Sequence, residues 1–402
     1  MARTHDRRFG MCWIVGFVAL AACQSDSRSV PEAVRRDSAG ITIVENEAAR
    51  AHTALTWKID SVPDLNIGTA EGDEHYQLFR VSGTAQLADG RVLVVNAGSQ
   101  ELRFFDANGV FLSKVGGRGQ GPEEYEYPEL IRTLQYDTIW IYDRPRISRL
   151  DGHGRMLERI TPRNRFLPPF MVGVWAGRLI TSQGSARVRP DSPEGVVAND
   201  ITYESIDIRT EVRDTIAQVQ GRGLFVWNLG TSFGFTMVPF DIGPSAAVGR
   251  DRLYVTPADA AEVRAVDSAG TVREIFRIMQ PAQPVPPAAF DSVVAAEVAS
   301  ARDQAGAAEL RRRYSKMSRP SVMPVFQSLL VDAHGNLWLE SFRTHEDARP
   351  EWVVIDPSGT VLGRITTPAR VTLAQIGEDY ILGLTRDDAD VEQVVRYRLR
   401  RE

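Results

Sequence analysis

The chain has 402 residues, 47 of them basic and 52 acidic, for a net charge of −5. That balance lacks the basic footprint of a nucleic-acid-binding protein. Both cysteines, Cys12 and Cys23, fall in the first 23 residues, so the remainder has neither a disulfide nor a cysteine metal site.

In the leader, Arg3, Arg7 and Arg8 form a basic start, Phe9 to Leu20 an apolar stretch of twelve residues, and Leu20-Ala21-Ala22-Cys23 a small-residue cleavage site. The pattern is that of a secretory signal peptide, too short for a spanning helix. Leu-Ala-Ala-Cys resembles the lipobox of bacterial lipoproteins, which implies a leader over 1–22 and lipidation of Cys23 as the first mature residue. An ordinary signal peptide with a cysteine near its end is the alternative. Gln24 in place of Asp leans, by the same resemblance, toward an outer-membrane lipoprotein facing the periplasm of a Gram-negative host. Removing the leader takes away three Arg and one Asp, leaving 44 basic against 51 acidic residues and a charge of −7. Polar residues after Cys23, up to position 36, read as a tether between membrane and folded part.

Runs rich in Val, Ile, Leu, Phe and Tyr, bounded by Asp and Gly, then give strand character to the rest. One unit repeats: an apolar run, Asp-x-x-Gly, and a second apolar run, at 102–115, 147–160, 263–276 and 352–365. Each is expected to be a hairpin in which Asp opens the turn and Gly takes the positive-φ position. A second strand pair precedes several of them, at 84–96, 132–143 and 328–341, and the first two turn aspartates stand 45 residues apart. Four strands at that period predict an all-β chain folded as a six-bladed β-propeller. The blades are placed at about 84–115, 131–160, 171–218, 246–277 and 327–365. The third is the least regular, with Thr210 where the turn glycine belongs. Residues 371–399 supply three strands of a sixth blade, and the DSAGITIV segment at 37–44, which repeats the DSAG of 267–270, is expected to complete it and close the ring. A seventh blade within 218–245 stays open.

The stretch VGGRGQGPEEY at 115–125 could pass for a phosphate-cradling loop, but neither glycine-rich phosphate motif is present and two carboxylates follow the glycines. It reads instead as the connection between the first two blades. Together with the preceding turn, DANGVFLSKVGGRGQGPEEYEYP resembles the signature of bacterial six-bladed β-propeller proteins, relatives of NHL-type and TolB-like propellers, many of them lipoproteins. Glu123 stands where that pattern often has Gly. The resemblance implies a fold for residues 37–402 and names no reaction.

Residues 280–320 break the strand pattern. They are Ala-rich, and Phe290, Val293, Val294, Val298 and Ala301 recur at helical spacing, predicting one or two helices inserted between blades 4 and 5. They form either a lid over a ligand mouth or a surface packing element, and Arg311, Arg312 and Arg313 read as a solvated helix end.

Few residues suggest chemistry. GTSFG at 230–234 fits the nucleophile-elbow pattern around Ser232, but the residues that follow look like strand where the elbow requires a helix. His52, His75, His153, His334 and His345 form no close ligand pair, and His153 and His334 fall in turns. Propeller enzymes that resemble gluconolactonases hold calcium with oxygen ligands at the channel mouth, so Ca²⁺ is the alternative to no cofactor, with Asn96, Asp143 and Asn228 as candidates. Arg118, Glu123 and Tyr125 offer two charges and an aromatic on a face loop, where binding residues concentrate. They are the ligand-binding candidates, with a rigid inter-blade turn as the plainer reading. No catalytic residue is assigned. The expectation is a lipid-anchored monomer that binds an envelope protein, peptide or small molecule around a central channel. A calcium-dependent lactonase-like hydrolase or lyase, and a TolB-type assembly component, are the rival readings.

Overall fold

The computed structural model describes residue 1 and residues 32–121, 123–133, 137–162, 170–189, 192–344 and 348–401. Cys23, the rest of the leader and His345 lie outside them. Of the segment expected to be a tether, Val34–Ser38 is already a strand.

Five complete four-stranded antiparallel sheets follow the expected order. Blade 1 comprises Val81–Gln86, Val92–Asn96, Glu101–Phe105 and Phe111–Gly116. Blade 2 runs from Glu129–Ile131 to Met156–Ile160, and blade 3 from Phe170–Trp175 to Arg213–Val219. Blade 4 spans Ser245–Val248 to Val272–Met279, and blade 5 Phe326–Val331 to Val361–Thr366. Within a blade the middle strands lie between neighbouring sheets, so Val92–Asn96 is apolar nearly throughout and wholly buried, whereas the outer Phe111–Gly116 is largely exposed.

The core is six inter-blade seams. Leu93, Phe104 and Ile141 pack between blades 1 and 2, Trp140 and Leu179 between 2 and 3, and Ile180 and Val255 between 3 and 4. Phe276 and Leu339 fill the seam of blades 4 and 5, Trp338 and Ile381 that of 5 and 6, and Ile67 and Val94 that of 6 and 1. Every seam is occupied, so the ring is closed.

The Asp-x-x-Gly turns explain their own sequence. Asp106 Oδ1 accepts the N–H groups of Asn108 and Val110, each at 2.8 Å, and Asp151, Asp267 and Asp356 accept from the equivalent pairs. The carboxylate thus satisfies the donors that the reversal strands. Gly109 sits at φ +84°, and an added Cβ would also lie 2.8 Å from Leu65. Blade 3, with Thr210, solves the problem differently: Asp207 still accepts from Arg209 and Thr210, but the turn is one residue longer and Glu211 takes the left-handed position at φ +58°.

Closure of the sixth blade differs from the sequence expectation. Its three strands, Thr372–Ile376, Tyr380–Arg386 and Glu392–Arg400, are completed by Lys58–Ile59 and Leu65–Ile67, which pair antiparallel with the third. The DSAG hairpin, Val34–Ser38 with Ile41–Glu47, lies instead on blade 4, where Ile41–Glu47 runs parallel to Val272–Met279. Asn46, fully buried, fixes it there by donating to the Arg277 and Gly359 carbonyls and accepting from Val361 N–H. The N-terminal part does hide the open edge of the ring, but through shorter strands.

Residues 218–245 hold no seventh blade. Leu224–Asn228 and Phe233–Met237 form a hairpin joined by Gly195–Val197 from blade 3. The expected helices are Pro287–Ala299 and Gln304–Lys316. They pack on that small sheet through Phe225, Phe240, Phe290 and Met317, and Arg313 lies 3.8 Å from the ring centroid of Trp227. Sheet and helices together make a cap. Among the described residues no helix is long and apolar enough to cross a membrane.

Candidate functional site

Strand order gives the ring two unlike faces. The inner strands run from one face to the other, so every Asp-x-x-Gly turn reaches the far face, here the turn face, and the inter-blade connections lie on the near one. The cap hairpin and the two helices are inter-blade connections, and Gly195–Val197 leaves blade 3 between its second and third strands, which also meet at this near face, so the cap rises from it.

The connection 117–125 belongs to the packing of the ring. Tyr125 is 1% exposed, within the seam of blades 1 and 2. The Arg159 guanidinium lies 4.9 Å from its ring centroid and donates to the Gly121 and Glu124 carbonyls. Burial raises the Tyr125 hydroxyl pKa, and Arg159 opposes that rise only in part. Its ring therefore packs in the seam rather than standing out on an open face loop. Arg118 and Glu123 are exposed. Glu123 and Tyr125 line one groove of about 290 Å³ with Leu150, His153 and Met156, in which Arg118 takes no part.

The oxygen ligands considered for calcium hold the backbone instead. Asn96 Oδ1 accepts from Phe79 N–H, Asp143 Oδ1 accepts from Glu126 and Tyr127, and Asn228 Oδ1 accepts from Gly230. Asp143 also pairs with Arg146. Among the described residues no group of three or more His, Cys, Asp or Glu is placed to hold a metal ion. Ser232 ends the tight turn of the cap hairpin, its carbonyl accepting from Leu229 N–H, and Phe233–Met237 continues as strand. The helix that a nucleophile elbow requires is therefore missing. His153 and His334 are exposed turn residues.

Two features had little signal in the sequence. The first is the cap strand Phe233–Met237, an edge that among the described residues pairs only with Leu224–Asn228. Phe233, Phe235 and Met237 are exposed by 37, 55 and 48%, and Leu229 at the neighbouring turn by 57%. Positions i, i+2 and i+4 of a strand share one side, so three large apolar side chains line up beside an unpaired backbone edge. Their opposite side, with Gly234 and Thr236, faces as Trp227 and Phe225 do, toward the helices.

The second is the central bore. A cavity of about 90 Å³ is ringed by the inner strands of all six blades, with Gln86, Ile131, Val172, Val248, Val331 and Gln375 each representing one. An added Cβ on Gly83 would lie 2.6 Å from Leu130 Cβ, so the inner strands of blades 1 and 2 approach closely. The Gln375 amide bridges to blade 1, accepting from Gln86 N–H at 2.6 Å and donating to the Gln86 carbonyl at 3.1 Å. Among the described residues the single charged one of the lining is Arg132, just past the inner strand of blade 2.

Geometry and seams together define a six-bladed β-propeller with a one-sided cap. Residues 76–148, which span blade 1 and the first half of blade 2, match a family described as 6-bladed beta-propeller. A member of the DUF4221 family from Bacteroides vulgatus is similar in fold: 11% identical, TM-score 0.51, covering 86% of this chain and 98% of that one. A Bacteroides fragilis protein covers 89% of this chain and 99% of its own at 11% identity and TM-score 0.45. Virginiamycin B lyase from Staphylococcus aureus covers 85% and 99% at 11% identity and TM-score 0.36. At such identities the likeness extends to the fold alone. No curated protein sequence matches the chain.

Proposed function

We propose that this protein is an extracytoplasmic binding propeller, anchored by lipid at Cys23, which holds an extended segment of an envelope protein along its cap. The observation that carries the reading is the apolar edge strand Phe233–Met237. Its backbone donors and acceptors on the outer side have no partner strand among the described residues, and its side chains put Phe233, Phe235 and Met237 in water. Exposed apolar edge strands invite pairing and are normally blunted. An incoming strand would gain main-chain hydrogen bonds from the edge and specificity from the alternating side chains. The leader and its Leu-Ala-Ala-Cys support the compartment, and the rigid ring supplies a fixed platform.

The test uses the full-length protein in its host membrane. Replacing Phe233 and Phe235 together by Lys should leave the melting midpoint within about 2 °C of wild type, because both are surface positions, and should abolish recovery of a stoichiometric partner with the anchored protein. Equal recovery with the double variant would overturn the reading.

A further inference from the structure

The Arg132 guanidinium has no hydrogen-bond or ion-pair partner among the described residues. It is enclosed by the ring, and burial alone acts on its pKa, lowering it; no carboxylate contributes. It nevertheless remains accessible to solvent, as a side chain projecting into a bore does. Most of the cavity lining is apolar, with Leu87, Leu93, Ile139, Val172, Val248 and Ile376 among it. The amide and hydroxyl groups beside them are already engaged. Gln375 is bonded to Gln86, the Gln86 side chain accepts from Arg396, and Thr84 donates to the Leu93 carbonyl.

A cation among apolar walls keeps its hydration only on the side open to the bore, so it gains from a counter-ion there. Arginine stays protonated even with its pKa lowered, so it cannot shed its charge as a lysine could. Low-dielectric walls of one charge sign also focus the field and concentrate counter-ions. The cavity, about 90 Å³, is well below the roughly 300 Å³ of an ordinary small-molecule pocket.

We propose that the bore is a binding site for a small oxyanion, a carboxylate or phosphate group, held by the forked guanidinium of Arg132 and entering from the turn face. The planar fork suits such groups because it can donate two parallel N–H bonds. The site lies at the opposite end of the inner strands from the cap and does not depend on a protein partner there.

The experiment is thermal unfolding of the full-length protein in detergent, titrated with acetate or inorganic phosphate at constant ionic strength in chloride. A ligand that binds only the folded state raises the midpoint saturably. Wild type should show that rise, and Arg132→Gln should show none, while starting from an anion-free midpoint at least as high as wild type because the unpaired charge is gone. Arg132→Lys keeps the charge but loses the fork and should bind about 10- to 100-fold more weakly, the range expected from one charged hydrogen bond. An equal rise in wild type and Arg132→Gln, or no rise in wild type with either anion, would overturn the site. Should Arg132→Gln fail to melt cooperatively, Arg132→Lys decides: weaker saturation than wild type supports the site, and equal saturation overturns it.

Discussion

Asp332 shows how much a single turn aspartate can carry. Like its counterparts it accepts from residues two and four ahead, His334 and Asn336, through Oδ1. Its Oδ2 meets Asn336 Nδ2, the Trp338 indole N–H at 3.0 Å and the Arg401 guanidinium at 2.9 Å. The side chain is wholly buried, so removing it leaves the indole donor unpaired and takes from Arg401 its carboxylate partner. Asp332→Ala should cost about 3–5 kcal/mol, the range for breaking a buried pair, read as the shift in chemical unfolding midpoint. Tyr125→Ala should cost a similar amount, since it empties a seam between two blades. Arg118→Ala and Glu123→Ala, both exposed, should stay within about 0.5 kcal/mol. The three candidates looked alike in the sequence because burial is decided by the seam, which only the neighbouring blade supplies.

Asp241 makes a pH-dependent prediction. Its Oδ2 accepts from Gly223 N–H at 2.8 Å, but burial, with Asp259 nearby, holds its carboxyl above the ordinary range. A raised acid pKa means that the folded state binds the proton more tightly than the unfolded one. Stability therefore falls as pH rises through the ordinary carboxylate range toward the raised value, and the full cost is present above it. Asp241→Asn keeps an acceptor for Gly223 without the charge. It should raise the melting midpoint at neutral pH and converge on wild type in acid below the ordinary carboxylate range.

At the scale of elements, the repeating hairpins were legible because their chemistry is local. Asp fixes the turn donors, Gly or a substitute supplies the positive φ, and both stand in the sequence. Even the irregular third blade announced itself through Thr210. The closing strand did not, for a physical reason: Lys58–Ile59 and Leu65–Ile67 are two and three residues long and flank Pro63. Neither shows a period, and their pairing with Glu392–Arg400 is non-local. The DSAG hairpin looked like the better candidate because it copies a turn, yet turn likeness does not choose a partner sheet. Ile67 is fully buried in the seam of blades 6 and 1, so Ile67→Ala should cost about 2–5 kcal/mol. Arg36→Ala, on the exposed outer strand of the N-terminal hairpin, should cost about 1 kcal/mol at most, as for a surface ion pair. Comparable losses would contradict closure by Leu65–Ile67.

For the whole molecule, the helical periodicity around Phe290 pointed correctly to the insertion, but the sheet beneath it could not be read. Its strands come from two separate connections, and residues 218–245 carry no turn signature. Arg132 was equally hidden, since one arginine after a short apolar run means nothing until six inner strands converge on it. The proposed compartment rests on the first 23 residues of the sequence alone. Cys23→Ser should therefore move the protein from the membrane fraction to the soluble extracytoplasmic fraction, with its melting midpoint unchanged.

The most direct measurement is photo-cross-linking in the living host, with a photoreactive residue at Phe235 and, as control, at Leu362 on the exposed outer strand of blade 5. One discrete protein adduct is expected from position 235, lost when Phe233 is also replaced by Lys, and none from 362. No adduct at 235, or the same adducts from both positions, would contradict a binding role for the cap.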